Sequence, residues 1–176
     1  MKKIPLLLSL AGGIFTLAQS SSLVIQNYSN YDAVGRLLTA TPGNPLGPVM
    51  TPAPAPPYSA YTIPAGAYTQ YDSFSTTATA AFPIFTWYVT DHTNPSNSGA
   101  YAYNDPFIST VMSSVNEWAG LNFWLKDTAT GATDSYSLGD PAVYPGFSNS
   151  QTGTFSSADW FTITTPSGPT TYIQIY

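Results

Sequence analysis

The chain has 176 residues, of which only 7% are charged, against about 25% in an ordinary soluble domain. Cysteine is absent, which excludes disulfide frameworks, thiolate-bound zinc, iron–sulfur clusters and cysteine nucleophiles, and the one histidine, His92, excludes a site built on two imidazoles. Beyond the N-terminal segment only Arg36 and Lys126 stand against nine acids, a net charge of −7, which argues against nucleic acid and against anionic membrane surfaces.

Lys2 and Lys3 precede an apolar stretch, Ile4 to Phe15, and small residues follow. That order is a secretory signal over residues 1–18, with cleavage after Ala18 or, as the close second, after Ser20. The apolar run is too short to span a bilayer and contains Pro5, Gly12 and Gly13. No cysteine follows on which a lipid could be carried. Residues 19–176 are therefore expected to form a single exported domain, secreted or at the cell surface, with the periplasm as the other compartment. No membrane insertion is expected.

Ser22 to Tyr28 begins as a strand where the signal ends, and Ala33 to Ala40 follows an Asn- and Asp-containing turn, so the two are expected to form a hairpin. Residues 42–57 hold seven prolines; such a stretch should not be a central strand and is expected to run as an extended loop along the domain. Tyr58 to Ile63 ends at Pro64-Ala65-Gly66, a turn signal, and Ala67 to Phe74 resumes. Phe82 to Thr90 is nearly continuous apolar and predicts a central strand. Asp105-Pro106 is a good helix entry, and Phe107, Ile108, Val111, Met112, Val115, Trp118 and Ala119 follow at spacings of three and four before Gly120. Leu121 to Lys126 and Thr133 to Leu138 flank a loop with Gly131, and Trp160 to Thr164 and Thr170 to Tyr176 flank Pro166 to Pro169. Both pairs predict hairpins. Short strands at this spacing imply an all-β, antiparallel β-sandwich, jelly-roll-like, with one short helix. Thirteen tyrosines and four tryptophans supply the core that the few aliphatics cannot, since each ring buries about 150–250 Å².

The residues that could carry chemistry are few. A glycosidase needs two flanking carboxyl groups, yet Glu117 is the single glutamate and most aspartates fall at turns. His92 lies in a loop and no Gly-x-Ser-x-Gly elbow occurs. Asp91, Asn94 and Asp105 offer the oxygen ligands calcium prefers, though their spacing is not that of an EF-hand and a long turn has the same composition. No cofactor is expected, calcium being the one this chemistry would admit, and a plain loop is the favoured reading of these residues. For a glycan, tyrosine faces and nearby amides are the usual platform. Tyr101 and Tyr103, two apart and followed by Asn104, with Trp118 beyond, are the best-placed set; Tyr28 with Tyr31 and Tyr68 with Tyr71 are alternatives.

The expected function is an exported, non-catalytic surface or matrix protein that associates with itself, because so little charge guards its sheet edges and aromatic patches. A carbohydrate-binding module is the alternative, with an extracellular glycan as partner, and a small hydrolase using an Asp/Glu pair comes third.

Overall fold

The computed structural model describes residues 22–54 and 61–176. The expected signal segment and residues 55–60 lie outside the described residues. Among the described residues twelve strands build two sheets, and the fold is all-β apart from short helical turns. In chain order the strands are β1 (Ser22–Asn27), β2 (Ala33–Ala40), β3 (Val49–Pro52), β4 (Tyr61–Ile63), β5 (Tyr68–Tyr71), β6 (Thr86–Thr90), β7 (Gly99–Ala102), β8 (Glu117–Lys126), β9 (Thr133–Gly139), β10 (Ser150–Thr152), β11 (Ser157–Thr165) and β12 (Gly168–Ile175). One sheet runs β10-β11-β12-β1-β5; the other runs β7-β6-β3-β2-β8-β9, with β4 also on β2. Every pairing is antiparallel except β1 with β12, which is parallel.

The sheets face each other over one core. Leu23, Ile25, Tyr71, Trp160, Ile173 and Ile175 of the five-stranded sheet meet Leu37, Met50, Trp87, Leu121, Phe123 and Leu125 of the seven-stranded one. Alternation with period two puts these side chains inward and their neighbours outward. Rings dominate the centre, as the composition requires: Trp118 packs on Phe74 at 4.7 Å, on Tyr71 at 5.8 Å and on Trp87 at 6.1 Å. The Tyr61 hydroxyl donates to that of Tyr71, which donates to the carbonyl of Phe82, so the buried phenols tie the sheets together.

Both hairpins form where the sequence places them. Gly131 closes the β8–β9 turn at φ 77°, and the β11–β12 register runs from Ala158 opposite Ile175 to Thr165 opposite Gly168.

Four expectations are corrected. First, β1 and β2 do not pair with each other; they belong to different sheets. The intervening turn is held by buried Asn27, whose amide donates to the carbonyls of Tyr31, Ile63 and Pro64. A side chain replaces the ladder that would have closed a hairpin. Second, the proline-rich stretch is not a loop throughout. Val49–Pro52 is β3, inserted between β2 and β6, which is tolerated because the strand is four residues long and its proline stands at the end. Third, the Phe82–Thr90 strand starts only at Thr86 and lies one place from a sheet edge, with Trp87 and Val89 buried and Phe85 exposed. Fourth, the helix is shorter than its periodicity. Phe107–Met112 forms a π-helical turn and Ser113–Val115 one α-helical turn, after which Glu117 starts β8 and carries Trp118, Ala119 and Gly120 into the sheet.

A smaller apolar cluster sits on the outer face of the seven-stranded sheet. Val143 and Phe147, from the loop after β9, cover Leu38, Ala40 and Ala119.

Candidate functional site

The expected glycan residues are mostly core. Trp118 is 2% exposed, in the middle of the aromatic cluster, and is no platform residue; its strand position turns it between the sheets. Tyr101 and Tyr103 do share one face, but it is the inner one, and both pack against the core. The Tyr101 ring lies 4.8 Å from Phe107 and its hydroxyl donates to the Asn97 carbonyl at 2.9 Å. Asn104 is exposed in the turn before the helical segment. Of the alternative pairs, Tyr31 is half-buried and packs edge-on against Phe155, Tyr71 is buried, and Tyr28 and Tyr68 are the two that stand largely in solvent.

The expected calcium residues serve their own loops. Asp91 Oδ1 accepts from the Thr93 N–H at 2.9 Å, the Thr93 hydroxyl at 2.7 Å and the Asn94 N–H at 2.9 Å, while Oδ2 accepts from the Asn97 amide at 3.0 Å. Burial by itself raises the Asp91 pKa, but these donors outweigh it and bring the group down to about 2. Asn94 accepts from the Ser96 hydroxyl, and Asp105 Oδ1 accepts from the Phe107 N–H at 2.8 Å at the helix entry. Among the described residues no three His, Cys, Asp or Glu side chains gather as a metal site.

What the fold does assemble is an aromatic and amide face on the outside of the five-stranded sheet. Register aligns Phe161, Tyr172, Val24 and Gln70 in one row across β11, β12, β1 and β5, and Asp159, Gln174, Gln26 and Tyr68 in the next. Phe161 stacks on Tyr172 at 5.2 Å with the planes 11° apart. Tyr176 stacks on Tyr28 at 5.7 Å and donates to Gln174 Oε1 at 2.7 Å, and Gln174 donates to Gln26 at 2.8 Å. At the far edge the Tyr68 hydroxyl donates to Gln70 Oε1 at 2.9 Å, and Gln70 donates to Asp72 at 2.7 Å. The rings of Tyr28, Tyr68, Phe161 and Tyr176 are all substantially exposed.

Two properties follow. The side chains hold one another in place, so little rotamer freedom remains to be lost on binding. Each amide also keeps hydrogen-bonding capacity beyond its internal partner, since it carries two donors and two lone pairs. Such a surface can stack on an apolar plane and satisfy hydroxyls beside it. The signal was present in the sequence as alternation, with Tyr172, Gln174 and Tyr176 on one phase and Ile173 and Ile175 on the other. The rows become visible only once β11, β12, β1 and β5 are in register.

Comparison with protein-family models, with characterised proteins and with solved structures returns no match.

Proposed function

We propose that the chain is an exported, non-catalytic binding protein that uses the outer face of its five-stranded sheet to hold an extracellular polysaccharide. The observation that supports this reading is the ordered pairing of exposed rings and amides across four strands. Ring faces stack on the C–H surfaces of sugars, while Gln26, Gln70 and Gln174 meet the hydroxyls. The face suits an extended, flat glycan better than a small ligand, because it is a surface and not a cavity.

Association of like chains through strand edges is less well supported. Edge strands β5, β7 and β10 have four, four and three residues. The β9 edge is covered by the following segment, through Ser148 N–H to the Ser137 carbonyl, Gly139 N–H to the Ser148 carbonyl and Ser137 N–H to Gln151 Oε1. Short or covered edges are how sheets avoid templating another chain.

Retention on insoluble polysaccharides of several linkages tests the reading. The protein should be retained on at least one, and Phe161→Ala with Tyr172→Ala should reduce retention at least tenfold with little change in melting temperature, as both rings face solvent. Absence of retention on every polysaccharide, or retention unchanged in the double variant, rejects it.

A further inference from the structure

Resting on the polysaccharide reading of the outer face, we infer that its occupant is an uncharged, linear chain that lies along β12 and β1 and contacts the protein over at least three sugar rings.

Charge selects the class of glycan. The face carries Asp159 on β11 and Asp72 just after β5, and none of the five strands of its sheet holds a lysine, arginine or histidine. Arg36 and Lys126 both belong to the other sheet, on β2 and β8. Asp72 accepts from the Gln70 amide at 2.7 Å, and Asp159 stands in one row with Gln174 and Gln26. A carboxylate or sulfate on the glycan would meet like charge at both places and no counter-ion on the face, so acidic polysaccharides are repelled.

Direction follows from where the rings stand. Phe161 and Tyr172 form one stacking station, and Tyr28 and Tyr176 form a second, four residues further along β12, a separation of about 13 Å at the rise of a strand. In each pair the rings cover one face of each other, yet Tyr28, Tyr176 and Phe161 still leave 57%, 46% and 37% of their surface to solvent. Between the stations Gln174 is engaged on both sides, accepting from the Tyr176 hydroxyl and donating to Gln26 Oε1. The Gln26 amide nitrogen has no acceptor among the described residues, so its N–H groups are the donors offered between the two stations. Across the strands the path is poorer. The row from Tyr172 reaches Val24, 5% exposed and without a polar side-chain atom, before it reaches Gln70. A chain running along the strands meets ring, amide and ring in turn.

A span of about 13 Å takes about three rings of an extended glycan, one stacked at each station and one between them with its hydroxyls at Gln26. Two stations that act on one chain raise each other's effective concentration. Affinity should then climb steeply until both are bridged and level off beyond that length.

The polysaccharide that retains the protein supplies the probes: its oligomers of one to six units, and its soluble carboxymethylated and hydroxyethylated derivatives, alike in bulk and different in charge. By calorimetry, affinity should rise at least tenfold from dimer to tetramer and less than threefold from tetramer to hexamer. Tyr28→Ala with Tyr176→Ala should lower hexamer affinity at least tenfold with little change in melting temperature, and Gln26→Leu, which keeps both stations, at least threefold. At low salt the carboxymethylated derivative should bind at least tenfold more weakly than the hydroxyethylated one, and salt, or Asp72→Asn with Asp159→Asn, should narrow that difference. Equal affinity for dimer and hexamer, hexamer binding unchanged by the Tyr28 and Tyr176 or the Gln26 substitutions, or equal binding of the two derivatives at low salt would overturn the inference, while retention on the insoluble polymer still supports the face. A charge difference that neither salt nor the two aspartate substitutions alter would overturn the charge assignment. Retention on no polysaccharide at all would overturn both the face and its occupant.

Discussion

Two aspartates carry more of this fold than their small number suggests. Asp134, buried on β9, accepts from the N–H groups of Thr154 and Phe155 at 2.7 and 2.9 Å and from the Ser156 hydroxyl at 2.7 Å. These bonds anchor the loop between β10 and β11, and Gly153 passes so close to the carboxylate and to the Tyr136 hydroxyl that a Cβ there has no room. Burial raises the Asp134 pKa, and the donated hydrogen bonds override it, leaving the group at about 2, like Asp91. A carboxyl whose folded pKa is depressed contributes stability that is complete above its unfolded value, here 3.8, and is lost as pH falls toward about 2. The thermal midpoint should therefore be flat above about pH 5 and drop steeply between about pH 4 and 2. Asp134→Asn should lower the midpoint at neutral pH and flatten that drop; parallel curves for the two proteins would refute the assignment.

A second residue-scale expectation concerns a glycine pair. Gly120 and Gly139 stand opposite each other on β8 and β9, and the Phe147 ring lies on them. A Cβ at Gly120 would come within 2.6 Å of the Leu138 carbonyl and 2.9 Å of the ring. Gly120→Ala should cost about 1–3 kcal/mol, the usual range for overpacking, read as a shifted denaturant midpoint.

Among the elements, β7 and the helical segment after it form one unit around Tyr101, Tyr103 and Phe107, all packed on the core. Replacing Tyr101 and Tyr103 with alanine should lower stability by about 2 kcal/mol or more, through lost ring burial and the lost Tyr101–Asn97 bond. Polysaccharide retention at a temperature well below the midpoint should survive, because the proposed face lies on the other sheet. Loss of retention in a fully folded double variant would return these tyrosines to the binding site. The helical segment also shows why periodicity misled over its second half. Val115 and Trp118 keep the helical spacing, yet Trp118 gains more by entering the aromatic core from a strand than a helix turn could offer, and tertiary burial overrides local propensity.

For the whole molecule, a net charge of −7 beyond the first 18 residues opposes association, while exposed rings favour it. With short or covered edges, the repulsion should prevail at low salt. Sedimentation should show a monomer there, and screening should permit at most face-to-face association as salt rises. Stable oligomers at low salt and low concentration would restore self-association as the leading function. N-terminal sequencing of exported material should find Gln19 or Ser21 as the first residue, and a product that retains Met1 would exclude export through a cleaved signal.

The sequence by itself determined the fold class of this protein and the kind of side chain that fills its core. Ring-rich composition, alternation and glycine-marked turns were enough for an all-β sandwich, for the two later hairpins and for a core made of tyrosine and tryptophan, because these signals are local and reflect what a strand must bury. Tertiary structure alone decided which sheet each strand joins, that Val49–Pro52 would serve as an inner strand, and which rings face water. Tyr172 and Tyr71 are alike as residues; one stands outside and the other inside because pairing register assigns each a face. The same holds for Glu117 and Asp140, which are 23 positions apart in the chain and line one cavity because the start of β8 lies beside the end of β9. Register and sheet membership are long-range properties, set by the sum of contacts across two sheets, and no short window of sequence contains that sum.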